Sequence, residues 1–98
     1  MTIKKEQKGT VLEVALEGHL DTMTAPELEA ELSPCLDAAD SLVLDFSDLE
    51  YISSAGLRVL LSMHRVMGDK GGMKVIHANE IIREIFDVTG FGDIITVE

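Results

Sequence analysis

The stretch SLVLDF, Ser41 to Phe46, is a nearly continuous apolar run of strand length with polar residues close on either side. Such a run leaves no face for water, so it reads as a strand covered on both sides in the middle of a sheet. A central strand needs neighbours and a covering layer. Upstream, VLEVALEG alternates: Leu12, Val14 and Leu16 share one face, while Glu13 and Glu17 take the other with Val11 and Ala15 between them. This is the pattern of a half-exposed strand, and Thr2 to Gln7 is expected to pair with it across a turn at Lys8 and Gly9.

The covering layer is written in three helical patterns. Thr24 precedes Glu27 by three residues, so TAPE reads as a capping box with Pro26 tolerated in the first turn. Leu28, Leu32, Leu36 and Ala39 then recur at helical spacing, and Pro34 is expected to kink or shorten this helix near Glu31 to Ser33. After SSAG, one stripe carries Leu57, Leu60, Leu61, His64 and Met67, and a second carries Val59, Met63 and Val66. The second stripe reads as extra core rather than as a docking surface. DKGG makes a turn, MKVIHA a strand, and Asn79 caps a short helix holding Ile81, Ile82, Ile85 and Phe86. Gly90 and Gly92 bracket a turn before a last strand in DIITVE. The order β-β-α-β-α-β-α-β predicts a single α/β domain over residues 1–98: a mixed β-sheet of about five strands layered with three to four helices.

Charge and motif narrow the function. No Lys or Arg occurs between Lys8 and Arg58, whereas eleven Asp and Glu lie from Glu13 to Glu50, within a net charge of -10. That half of the chain would repel phosphates, which argues against nucleic acid and is compatible with a basic protein partner or simply with solubility. No apolar run approaches the roughly 18 residues of a membrane span, and Met1 to Thr10 lacks the apolar centre of a signal peptide. The expected compartment is the cytoplasm, where the single Cys35 would stay reduced. His19, His64 and His77 show no metal-ligand spacing, and SSAG is not the GxSxG of a nucleophile elbow. DKGG and GFGD are turns rather than phosphate loops. No catalytic, metal-binding or cofactor-binding residue is expected, and a small serine hydrolase stays only as a distant reading.

YISSAGLRVL is the exception. With a helix beginning near Ala55, Ser53 and Ser54 stand at its N-terminus, where backbone N–H groups lack internal partners. One serine is expected to cap the helix, which leaves the other spare. A hydroxyl in that position suits a phosphoryl group, since the product dianion would lie at the favourable end of the helix dipole.

Three segments together resemble the STAS family, and within it the free-standing anti-sigma factor antagonists of bacteria. GHLDTMTAPEL, Gly18 to Leu28, is similar to the family segment G-x-L-D-x-x-T-A-x-x-L. LVLDFSDLEYISSAGLRVLL, Leu42 to Leu61, resembles its central strand, acidic loop and serine-bearing helix start. IIREIFDVTGF, Ile81 to Phe91, resembles its last helix and following glycine turn. The resemblance implies a protein that binds an anti-sigma factor serine kinase and so frees a sigma factor. It implies switching by phosphorylation and restoration by a PPM-type phosphatase, with ATP and Mg²⁺ belonging to the kinase. The family's acceptor, the first serine of D-S-S/T-G, falls on Ser54, and the resemblance implies that Ser53, Ser54 and Gly56 lie on the partner-facing surface. Ser53 stands where the family has an acid, and Ala55 where it has a hydroxyl. Asp21 and Asp48 match acidic positions expected on the partner-facing surface, although either could be an ordinary turn residue. An unphosphorylated STAS scaffold or regulatory subunit of a transporter or stress-sensing complex is the alternative.

Overall fold

The alternation of VLEVALEG produces strand pairing because only one register buries Leu12, Val14 and Leu16 together. In the computed structural model, which describes all residues Met1–Glu98, β1 (Thr2–Lys8) and β2 (Val11–Leu20) form that hairpin, with Thr2 opposite Glu17 and Lys8 opposite Val11. Gly9 makes the turn possible by adopting φ +62°. β3 (Ser41–Ile52), β4 (Met73–Ile76) and β5 (Thr96–Val97) complete a five-stranded sheet in the order β1-β2-β3-β4-β5. Only β1 runs antiparallel, so the sheet is mixed and β3 lies at its centre.

The helices α1 (Ala25–Leu36), α2 (Ser54–Gly68) and α3 (Glu80–Thr89) connect the parallel strands. The sequence predicted cover on both faces of β3, and the structure differs. Leu42, Leu44 and Phe46 are buried, while Val43 and Asp45 on the opposite face are only half-buried. The same holds on β2, where Leu12, Val14 and Leu16 are buried and Val11, Glu13 and Ala15 are not. Buried residues of all three helices join those strand residues in one core of 25 side chains. The helices therefore cover one face and the other is left to solvent. Each large side chain fully buried in this core contributes about 1.5–3 kcal/mol.

α1 is not shortened by Pro34. It runs on to Leu36 because Leu28, Leu32 and Leu36 all reach the core, and Pro34, which offers no N–H to the Ala30 carbonyl, lies exposed, as does Ala30. α1 has no basic residue in its last turn, and Lys70 supplies the charge from elsewhere: its Nζ donates to the carbonyls of Leu36, Asp37 and Ala39 at 2.7, 3.1 and 3.1 Å. On α2, Val59 and Met63 of the second stripe are core, while Val66 is exposed. β5 is shorter than DIITVE, since Phe91–Asp93 forms a 3-10 turn and Ile95 donates its N–H to Phe91 O, burying its side chain before the strand starts.

Candidate functional site

In a parallel sheet the carboxyl ends of the strands face one edge, where the following helices begin with unpaired N–H groups. Ile52, the last residue of β3, lies opposite Leu20, the last of β2. The next residue, Ser53, donates its backbone N–H to Leu20 O at 2.8 Å. Ser53 is extended (φ -97°, ψ 176°) and caps α2, its Oγ accepting from Gly56 N at 3.4 Å. Ser54 is the first helical residue; its side chain is exposed, and it makes no side-chain hydrogen bond within the protein. The two serines thus hold different positions.

Gly56 explains why α2 can start so close to the sheet. A Cβ there would meet Ile52 Cγ1 and Leu20 Cγ at 2.8 Å and Leu20 O at 3.0 Å. The sequence placed Gly56 on the partner-facing surface, whereas it is buried against the two strand ends. From there it lets the serine-bearing start of α2 lie close against the strand ends.

Asp21 follows Leu20 directly, which brings it to the strand end beside Ser53. Its Oδ1 accepts from the N–H groups of Met23 and Thr24 at 2.9 and 3.0 Å. The Thr24 N–H is the chief cause that holds the Asp21 carboxyl below the usual carboxylate range, with smaller help from Met23, the Thr24 hydroxyl and His19. This arrangement replaces the predicted capping box. Thr24 is already helical in backbone (φ -94°, ψ -21°), and its hydroxyl turns back to accept from Asp21 N and donate to His19 O, both at 2.8 Å. Glu27 takes no part in it. Asp21 is therefore a turn-capping residue and an ionised group at the site at once.

Asp48 is elsewhere. It belongs to β3 rather than to a loop, exposed and opposite Glu17, three residues of β2 short of Leu20. That separation is roughly 10 Å along the strand. The structure brings Asp21, Ser53 and Ser54 together, with Gly56 beneath them, and leaves Asp48 outside.

Sequence reasoning missed two large apolar neighbours. Met23, in the turn after Asp21, is 82% exposed, and Tyr51, two residues before Ser53, is 45% exposed. A methionine among DTMT turn residues was the available signal. His19 Nε2 and Glu50 Oε2 lie 3.2 Å apart on the adjoining residues of β2 and β3. No histidine hydrogen-bonds the Ser54 hydroxyl. His77 instead meets Asp45 and Ser47, the residue types of a hydrolytic triad, but both lie 3.1 Å from the same Nδ1 atom and the other ring nitrogen is unused. A relay needs the acid and the hydroxyl on different nitrogens. No group of His, Cys, Asp or Glu is placed to hold a metal ion, and no helix is long and apolar enough to cross a membrane.

Comparison with known proteins follows the same outline. The family described as "Mlab, STAS domain" matches residues 3–96. The "Putative anti-sigma factor antagonist BtrV" of Bordetella bronchiseptica is 33% identical over 99 residues, covering 99% of this chain and 85% of that one. The anti-sigma-B factor antagonist of Bacillus subtilis is 28% identical over 98 residues, covering 99% and 90%. The crystal structure of an anti-sigma factor antagonist from Mycobacterium paratuberculosis superposes with a TM-score of 0.89 at 28% identity, covering 98% of this chain and 83% of the other.

Proposed function

This chain belongs to the STAS domain family, and on that premise we propose that it acts as an anti-sigma factor antagonist switched by phosphorylation of Ser54. It binds an anti-sigma factor that is also a serine kinase, and the sigma factor held by that kinase is released. The observation that carries this reading is the division of the serines: Ser53 is occupied as the cap, while Ser54 is exposed and unbonded at the first turn of α2. In the transfer, Ser54 Oγ attacks the γ-phosphorus of the kinase's ATP, the hydroxyl proton passes to a base of the kinase, and ADP leaves.

The phosphate would lie at the N-terminus of a 15-residue helix with no acid in its first turn, so the fold tolerates it. Binding does not. About -1.5 to -2 charges would be added at the strand end that carries the ionised Asp21, on a chain already at -10, with Met23 and Tyr51 exposed close by in sequence. A PPM-type phosphatase removes the group and restores binding.

The test is to incubate the protein with each purified ATP-binding anti-sigma factor kinase of its own genome and locate any phosphate by mass spectrometry. An adduct on Ser54, absent in Ser54→Ala, supports the switch. Failure to bind any such kinase would sink it. Retained binding without an adduct would favour the second reading, a STAS scaffold or regulatory subunit of a transporter or stress-sensing complex, which draws its support from the missing acid at Ser53.

A further inference from the structure

β3 carries two irregularities, and both are held from the same place. Relative to β2 it has one extra residue between Asp45 and Asp48 and a second between Leu49 and Tyr51. In the unbulged register set by Val11 and Ser41, Leu20 would lie opposite Glu50; the two insertions bring Ile52 there instead. The burial of Phe46, Leu49 and Ile52, three residues apart rather than two, follows from them. The insertions decide what happens at the helix start, because only with Ile52 opposite Leu20 does Ser53 N reach Leu20 O.

Bulges are uncommon between parallel strands and leave backbone groups without ladder partners. At the first bulge, Ser47 N–H donates to Asp45 Oδ1 at 2.9 Å and Ser47 Oγ donates to the same oxygen. His77 Nδ1 lies 3.1 Å from both Asp45 Oδ1 and Ser47 Oγ. At the second bulge, Asn79 Nδ2 donates to Leu49 O and Glu50 O at 3.1 and 3.3 Å. His77 and Asn79 are two residues apart in the β4–α3 connection. His77 is also the one non-glycine residue with a left-handed backbone, φ +61°. Such a conformation persists where its surroundings impose it.

We propose that the His77–Asn79 connection is a template for the register of β3, and that through this register it selects which serine caps α2 and which is left free for modification. Only the nature of the modification rests on the function proposed above. His77 and Asn79 are positioning residues. If either bulge is lost, the chain slips by one: Ile52 takes the capping place next to Leu20, and Ser53 moves into the position that Ser54 now holds.

Two variants test this while sparing the fold. Asn79→Asp keeps the Oδ1 that caps α3 by accepting from Ile82 N at 2.8 Å, yet removes the donor to Leu49 and Glu50. His77→Gly accommodates φ +61° while removing the imidazole. Backbone amide exchange is followed by NMR on the full chain, and phosphate is located after incubation with the kinase. The Ser53 amide is expected to exchange at least tenfold faster in each variant while those of Val14 and Leu44 stay unchanged, and phosphate is expected on Ser53 as well as Ser54. Wild-type protection at Ser53 in both variants would overturn the template. Phosphate confined to Ser54 despite a labile Ser53 amide would overturn the selection of the serine. If the wild-type protein accepts no phosphate, the proposed function fails and amide exchange alone decides the template.

Discussion

The amide of Ser53 and the carbonyl of Leu20 meet at 2.8 Å, joining the cap of α2 to the residue that precedes Asp21. One bond thereby fixes the helix start, the acidic turn and the two serines relative to one another. It also assigns opposite roles to neighbouring residues of the same type.

Ser53→Ala is expected to destabilise the protein by about 1 kcal/mol, the usual worth of an N-cap, whereas Ser54→Ala should stay within about 0.5 kcal/mol. Urea unfolding of the two variants measures both. The reverse order would mean that Ser54, not Ser53, is the structural residue.

Gly56→Ala should cost about 1–3 kcal/mol despite alanine's better helix propensity, because the fully buried Leu20 and Ile52 would have to move. A variant as stable as wild type would show that the strand ends yield easily, contrary to the close approach of α2.

Thr24→Val removes the hydroxyl that bridges Asp21 N and His19 O, and Glu27→Ala removes a side chain with no capping partner. The first is expected to lose about 1–2 kcal/mol and the second next to nothing. Equal losses in thermal or urea unfolding would revive the capping box read from TAPE.

Two carboxylates give stability a pH dependence of defined sign. Asp21 is held low chiefly by the Thr24 N–H; Asp45 is pushed up by partial burial, but Ser47 and His77 outweigh this and hold it low. A lowered folded pKa contributes stability that is complete above the unfolded value of about 3.9 and is lost as pH falls through the folded one. The difference in Tm between wild type and the Asp21→Ala, Asp45→Ala double variant should be widest near neutrality and narrow below about pH 4. A difference constant from neutrality into strong acid would contradict the assignment.

What the sequence made legible was local. Hairpin, element order, the Asn79 cap with its bond to Ile82 N at 2.8 Å, and the core stripe of α1 follow from spacing within one element, whereas on α2 Leu60, Met67, Val59 and Met63 are core but Leu57, Leu61 and His64 are only half-buried. The second half of β3 did not, because DLEYI buries every third residue under bulges held by His77 and Asn79 some 30 positions away. TAPE misled for a related reason: the pattern for a capping box is present, but Asp21 caps the turn first, and Thr24 is already helical when the helix begins. Of the candidate site, the serines were found through motif and helix-start chemistry, and Met23 was passed over because a turn methionine carries no motif. Asp48 was placed in a loop because nothing in SDLEY announces a strand.

The affinity of the anti-sigma factor kinase for this protein before and after phosphorylation, measured by calorimetry on the same purified pair, tests the central claim most directly. Phosphate on Ser54 is predicted to weaken binding at least tenfold, about 1.4 kcal/mol, with Tm nearly unchanged. Equal affinities for the two forms would contradict the switch.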